Sequence, residues 1–350
     1  MGVPNLFKYC RFDEFKIEDY LYKKVGVDMY VILHKFVMDV QIAKQLVDNP
    51  NEYIEEYYEL IKNYLTMFVI RGYELYLVYD GNKMRYKITE ETREQNRTKA
   101  FIQENWIGAV EIVPQQMYNF QDYLNKHPIQ IDKEVIRLPY VVAPFEADAE
   151  LAFLYKQGYI ESVLTNDSDL IIYGVKHIIM IRQGNLFRYD IESVEKGEEI
   201  KCINQMDLRK LWLFGYLIGC DYFKGIPKVG IVKAFTIINK LPIIEVGNTI
   251  DWEEMYKLLM KMPEMIKVMK MNTVEEKEYK LMYSKVRMVY TTQYVIDPVT
   301  YKIREVNGEE VDEEEKKKYG IIYEPIQDVA LGIKNPITGE MFEKKIGVNN

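Results

Sequence analysis

Ser162-Val-Leu-Thr-Asn-Asp-Ser-Asp169 is the stretch on which the fold turns. Ser162 to Thr165 has the length and composition of a short strand. It stops abruptly at Asn166-Asp167-Ser168-Asp169, residues that favour turns and helix caps. The same grammar recurs on both sides. Lys24-Val-Gly-Val-Asp28 reads as a buried strand ending in an acid. Tyr73-Glu-Leu-Tyr-Leu-Val-Tyr-Asp80 ends in another acid and turns at Gly81-Asn82. Ile136 to Val142 and Ile178 to Ile181 are further strand candidates.

Helical spacing fills the intervals. It runs over Tyr30 to Val47, Glu52 to Arg71, and from Pro144 through Glu146, Asp148 and Glu150 to Lys156. Strands alternating with helices predict an α/β fold, a doubly wound, mostly parallel sheet flanked by helices. In such open sheets, ligands bind outside the carboxyl ends of the strands. Asp28, Asp80, Asp167 and Asp169 all fall there, and this coincidence places the site.

Further along, Asp207 to Gly219 predicts a helix, Asp221 to Pro227 a turn, and Val229 to Lys240 another helix. The chain then stays helical to about Tyr290. From Lys83 to about Phe120 it is charged and helix-prone with little apolar periodicity before Phe101. That is poor core material and fits a solvated helix or an arm. Glu309 to Lys318 reads as a solvated charged run.

Composition sets limits. The 350 residues are 48% hydrophobic, enough for one large core or two modest ones. The net charge is −8, against the basic balance usual in nucleic-acid binders. A carboxylate-rich metal site contributes to that sum, and binding depends on a local basic face. Cys10, Cys202 and Cys220 form no CxxC, which reads as a reducing compartment without a disulfide framework. With only His34, His127 and His177 to help, zinc is unsupported. No secretory signal, convincing myristoylation motif or membrane span is expected.

Phosphodiester hydrolysis needs an activated water and a neutralised anionic transition state. Two divalent cations about 3.5–4 Å apart supply both. Mg²⁺ prefers carboxylate oxygen and keeps several waters, so a pair of ions needs acids converging from several strands. Glu146 and Asp148 flank a helix start. Asp167 and Asp169 sit two apart past a strand, where both can aim the same way. Singly, each acid is ordinarily a helix cap or turn former. Their joint placement, with no competing nucleophile motif, points to metal chemistry.

Five ordered motifs then carry a resemblance: Val25-Gly-Val-Asp28, Leu77-Val-Tyr-Asp-Gly81, Ala143-Pro-Phe-Glu-Ala-Asp-Ala-Glu150, Leu164-Thr-Asn-Asp-Ser-Asp-Leu-Ile171 and Gly219-Cys-Asp-Tyr222. Together they resemble the structure-specific 5′-nuclease family that includes flap endonuclease, exonuclease I and the xeroderma pigmentosum group G nuclease. The resemblance runs from Met1 to about Ile337. It implies that Asp28, Asp80, Glu146, Asp148, Asp167, Asp169 and Asp221 are metal-site acids serving two Mg²⁺ ions, with Mn²⁺ as a substitute. It implies a helical arch and a helix-two-turn-helix element. It also implies a division into an N-terminal nuclease region with the start of the arch (1–100), an arch or connector (101–138), an internal nuclease region (139–240, with the helix-two-turn-helix at about 207–240), and a helical extension and tail (241–350).

Within the family the chain is most similar to the eukaryotic exonuclease I branch. Ile32-Leu-His34-Lys35 stands where flap endonucleases usually carry Tyr. Val295-Ile-Asp-Pro298 and Asp328-Val-Ala-Leu-Gly-Ile-Lys-Asn335 resemble the segment beyond the exonuclease I core. No sliding-clamp box is found.

The resemblance assigns Lys87 to phosphate charge stabilisation, with Asp167 and Asp169 as its catalytic partners. Lys83, Arg85, Lys87, Arg93, Arg97 and Lys99 form a positive stretch whose ordinary reading is a solvated helix paired with Glu90, Glu91 and Glu94. Arg93 or Arg97 takes the second gateway role, because Glu94 occupies the family's offset. His34 would stack on a nucleotide. Gly225-Ile-Pro-Lys-Val-Gly230-Ile-Val-Lys-Ala234 resembles the helix-two-turn-helix, whose amides hold duplex phosphates, often beside a K⁺ ion. Gly225, Lys228, Gly230 and Lys233 are its candidate contacts. Lys228 replaces the first glycine of the usual Gly-x-Gly, where glycine reaches positive φ cheaply.

The resulting expectation is a Mg²⁺-dependent 5′→3′ double-stranded DNA exonuclease with 5′ flap activity. It would act in repair or recombination on 5′ ends, nicks, gaps or flaps, as a nuclear monomer without a membrane partner. The alternatives are a replication flap endonuclease, a small-molecule phosphatase built on Asp167-Ser-Asp169, and a catalytically silent DNA-end binding protein.

Overall fold

A computed structural model describes residues 2–308 except 5, 11, 83, 85, 86, 183, 191–202, 204, 205, 248, 271–274 and 301. The centre is a seven-stranded sheet. Its strands are β1 (Asp13–Phe15), β2 (Lys24–Asp28), β3 (Glu74–Tyr79), β6 (Tyr140–Val142), β7 (Ser162–Leu164), β8 (His177–Arg182) and β9 (Asn185–Asp190). A small hairpin, β4 (Ile129–Ile131) and β5 (Glu134–Ile136), precedes β6. The sheet order is β1-β9-β8-β7-β2-β3-β6. Pairing is parallel from β8 to β6 and antiparallel at β9 and β1.

The chain runs outward from β2 through β3 to β6, then returns to place β7 on the other side of β2. That reversal makes a topological switch at the carboxyl end of β2, where such sheets open a crevice. Two core clusters face the two sides of the sheet, and strand alternation feeds both. Ile178 and Met180 enter one cluster, Ile179 and Ile181 the other.

Among the described residues, ten helices frame the sheet and the site: α1 (Met29–Lys35), α2 (Val40–Asp48), α3 (Glu55–Val69), α4 (Thr89–Ile102), α5 (Trp106–Ala109), α6 (Pro114–Lys126), α7 (Ala147–Lys156), α8 (Asp169–Ile172), α9 (Trp212–Ile218) and α10 (Ile231–Lys240). An extension continues in α11 (Trp252–Lys261), α12 (Pro263–Met269) and α13 (Glu276–Thr292).

Several boundaries differ from expectation. The helix predicted over Tyr30 to Val47 is broken, because Asp39 caps α2 by accepting from the amides of Gln41 and Ile42. The helix predicted from Pro144 begins only at Ala147, since Pro144 and Phe145 carbonyls accept from Asn82 and Gly81 amides instead. Ile136 to Val142 splits between two strands. The antiparallel β9 and β1 add an edge that the alternating strand–helix pattern does not predict. Helix α4 buries only Ala100, in keeping with its sparse apolar pattern. The Glu309–Lys318 run and the Asp328–Asn335 motif lie outside the described residues.

Candidate metal centre

Four neighbouring parallel strands deliver the acids. Asp28 ends β2 and caps α1, accepting from the Val31 amide at 3.3 Å. The β2–β7 register sets Val27 opposite Leu164, which brings Thr165 level with Asp28. The Thr165 hydroxyl accordingly donates to Asp28 Oδ2 at 2.8 Å. Asp80 comes directly after β3 and accepts from the Ala147 amide at 2.6 Å. Glu146 and Asp148 enter from the start of α7, after β6. Asp167 and Asp169 come after β7, and the Asp169 amide donates to Asp167 Oδ1 at 2.9 Å. Asp221 arrives separately, from the turn after α9.

Two cations from the arm reach these acids. Lys87 Nζ pairs with Glu146 and lies 3.3 Å from Asp221 Oδ2. Arg93 donates to Asp221 Oδ2 at 2.7 Å, and the Ile88 amide donates to the Asp221 carbonyl at 2.8 Å. Asp221 thus clamps the base of α4 to the turn that leads into α10. Arg97 sits 3.4 Å from Glu111.

Burial sets the electrostatics. Desolvation pushes Asp28 and Asp80 up to about 6; neighbouring acids add to the rise, while hydrogen bonds oppose it. Glu146 is raised by burial against the opposing pull of Lys87. Asp148 and Asp169 are raised well above the usual range, by burial first and by Asp167 next. Burial disfavours the Lys87 ammonium, but Glu146 and Asp221 outweigh it and keep it charged. His34 is pushed down by desolvation, then by Arg97 and Arg93.

Two adjoining cavities open here, of about 750 and 160 Å³. Tyr30, His34, Asp80, Lys87, Arg93 and Glu146 line both. Asp28, Asp148 and Asp167 line the larger, and Arg97 the smaller. Five of the predicted acids thus line these cavities with His34, Lys87, Arg93 and Arg97, while Asp169 adjoins them through Asp167 and Asp221 through Lys87 and Arg93. Gly225, Lys228, Gly230 and Lys233 stand apart on the α9–α10 turn, joined to the site through Asp221. Lys83 and Arg85 lie outside the described residues.

The site also contains four residues that motif reading does not single out: Tyr30, Thr165, Tyr290 and Gly2. Thr165 is readable from strand register. The Gly2 Cα packs so closely that a Cβ would fall 2.4 Å from an oxygen of Asp167 and of Asp169.

The donor set fits hard divalent cations. Every predicted ligand offers carboxylate oxygen, and Asp169 Oδ1 is buried without a hydrogen-bond partner. Among the described residues no three His, Cys, Asp or Glu side chains come together closely enough to hold a metal ion by themselves.

Comparison with known proteins identifies the family. The XPG N-terminal domain matches residues 1–100 and the XPG I-region matches residues 137–221, together more than half of the chain. The chain belongs to the XPG family of structure-specific nucleases. Among curated relatives, it is 28% identical over 320 residues to exonuclease 1 of Danio rerio, covering 88% of this chain and 37% of that protein. It is also 28% identical over 259 residues to the DNA damage-inducible protein DIN7 of Saccharomyces cerevisiae, covering 69% of this chain and 57% of the relative. The chain thus spans little more than half of these proteins, or less.

Solved structures share the fold. The catalytic core of Rad2 in complex with DNA substrate aligns with a TM-score of 0.55 at 18% identity, over 93% of this chain and 98% of that one. Human GEN1 in complex with Holliday junction DNA aligns with a TM-score of 0.55 at 14% identity, over 94% and 75%.

Proposed function

We propose that this chain is a Mg²⁺-dependent nuclease that degrades double-stranded DNA 5′→3′ and also cuts 5′ flaps, in DNA repair or recombination. One observation carries the reading: acids from the ends of four adjacent parallel strands meet two cations from an otherwise solvated arm. Family membership and the exonuclease 1 relatives support it.

Asp28, Asp80, Glu146, Asp148, Asp167, Asp169 and Asp221 would hold two divalent cations, with Mn²⁺ replacing Mg²⁺. When bound, the ions supply charge neutralisation and an acidified water at the scissile phosphate. Lys87 presents an ammonium to the phosphate oxygens, and Arg93 or Arg97 grips the adjoining phosphate. His34, which lines both cavities, would stack on the terminal base.

Duplex would rest on the α9–α10 turn. Gly225, at φ +80°, lets the chain pass where a Cβ would lie 2.4 Å from the Ile218 carbonyl carbon. Gly230 leaves open space before the amides that start α10. The Lys233 ammonium donates to the Lys228 carbonyl at 2.9 Å, so we read it as the resident cation at this turn in place of K⁺. The substrates are DNA 5′ ends, nicks, gaps or flaps, met as a monomer. A nuclear location is inferred from the repair nucleases it resembles. Among the described residues no helix is long and apolar enough to cross a membrane.

The test is a Mg²⁺ time course on labelled duplex with a recessed 5′-phosphate end, beside a 5′ flap of equal length. Stepwise release from the recessed end is expected, abolished by EDTA and by Asp169→Asn. Predominant single cuts at the flap base would move the reading to a replication flap endonuclease. Bound DNA with no metal-dependent cleavage would leave only a DNA-end binding protein.

A further inference from the structure

We propose that Tyr290 is a positioning residue for the acid cluster, contributed by the helical extension, and that it aims the Asp169 carboxylate at the metal centre. The inference rests on the metal-nuclease reading and deepens it. Tyr290 lies on α13, outside both matched family regions. Its side chain is buried, and its hydroxyl donates to Asp169 Oδ2 at 2.8 Å.

Asp28, Asp80 and Asp167 are held from within the sheet region, and Glu146 and Asp221 by Lys87 and Arg93 of the arm. Thr165 and an amide hold Asp28, an amide holds Asp80, and Asp167 accepts from the chain two residues on. The hydrogen bond to the Asp169 carboxylate comes instead from a residue 121 positions away. A carboxylate's terminal torsion is broad and roughly two-fold, so the backbone alone does not fix which oxygen faces the cleft. A hydroxyl hydrogen bond to a carboxylate is roughly twice as strong as a neutral one, enough to select one orientation. With Oδ2 taken, the other oxygen of the same carboxylate, buried and unpartnered, is the one offered to a cation.

The ring itself is tightly located. Tyr173 packs edge-on at 4.9 Å between centroids. On α9, Gly215 leaves room for it: a Cβ there would lie 3.1 Å from Tyr290 Cε2 and 3.4 Å from Cys220 Cβ. A larger residue at 215 would push the hydroxyl off its carboxylate.

The experiment compares the intact wild-type chain, Tyr290→Phe and Tyr173→Phe. Tyr173 is the control, because it belongs to the same aromatic cluster and its hydroxyl donates to Gln293 Oε1 at 2.7 Å. Mn²⁺ binding is measured by calorimetry without DNA, and kcat and KM for recessed-end duplex are measured across a Mg²⁺ titration. Tyr290→Phe is expected to weaken Mn²⁺ binding and raise the Mg²⁺ requirement, each by about 10- to 100-fold. Its kcat at fixed Mg²⁺ falls while KM for duplex holds. Tyr173→Phe keeps wild-type metal binding even where its melting temperature falls. Tyr290→Phe matching wild type in Mn²⁺ binding, or both variants losing it equally, overturns the proposal. A wild type that binds Mn²⁺ but cuts no DNA removes the nuclease reading, and the Mn²⁺ comparison still decides the role of Tyr290.

Discussion

At the scale of single residues, Lys87 shows how the acids and the arm depend on one another. Its ammonium is largely buried, a costly arrangement for a lone charge. Glu146 and Asp221 offset that cost, and the charge persists. Lys87→Ala should lower kcat by about 10²- to 10³-fold, the range for removing one preorganised charge-stabilising group. KM for duplex should change little, because the proposed duplex contacts lie on the α9–α10 turn. Single-turnover cleavage measures this, and an unchanged rate would remove Lys87 from the chemistry. The residue is legible from its distance to Asp80. Spacing ranks Arg93 and Arg97 equally, and the contact of Arg93 with Asp221, 128 positions away, distinguishes the two. Sequence spacing cannot show such a contact.

At the scale of elements, the α9–α10 turn carries a local conflict. Lys228 adopts φ +66°, a region that glycine occupies without penalty and other L-residues do not. The strain agrees with reading Lys228 as a replaced glycine. Lys228→Gly should stabilise the fold by about 1 kcal/mol. It should also weaken duplex binding and lower its salt slope by roughly one unit, if Lys228 contacts a phosphate. With Lys233 already on the Lys228 carbonyl, duplex affinity of the wild type should be equal in K⁺ and Na⁺. Thermal melts and fluorescence anisotropy across a salt series check all three. A strong K⁺ preference would return the ion to this turn. The helix α4 shows the other side of the matter: its weak periodicity excludes it from the core, but nothing local reveals that its base is clamped to Asp221.

At the scale of the whole molecule, the acid cluster sets the pH response. Asp28 and Asp80 are raised to about 6 from an ordinary 3.8, and Glu146, Asp148 and Asp169 are raised as well. Raised carboxyl pKa values mean that the folded state binds more protons than the unfolded chain across that window. Stability from these groups is present below about 4 and is lost as pH rises through about 6. His34, with a depressed pKa, acts in the opposite direction but is one group against five. In EDTA the melting temperature should therefore fall between pH 5 and pH 7, and Mg²⁺ should recover much of the loss by binding the folded state. A melting temperature that rises over this range in EDTA, or ignores Mg²⁺ at pH 7, would contradict the cluster's role.

The chain by itself determined the parallel core and the acids that close its strands, Asp28, Asp80, Asp167 and Asp169, because short apolar runs closed by Asp or Asn are local patterns written in contiguous residues. Glu146 and Asp148 are legible as a pair at a helix start, and Asp221 only from the family resemblance. The family resemblance also marks Lys228 as a replaced glycine, and the backbone, at φ +66°, shows the strain. Tertiary structure alone decided the antiparallel edge of β9 and β1, the Thr165 bond to Asp28, the Asp221 clamp and the Tyr290 bond to Asp169. Each of these depends on register or on packing between segments far apart in the chain. A hydrogen bond across 121 residues leaves no mark on the spacing of its neighbours.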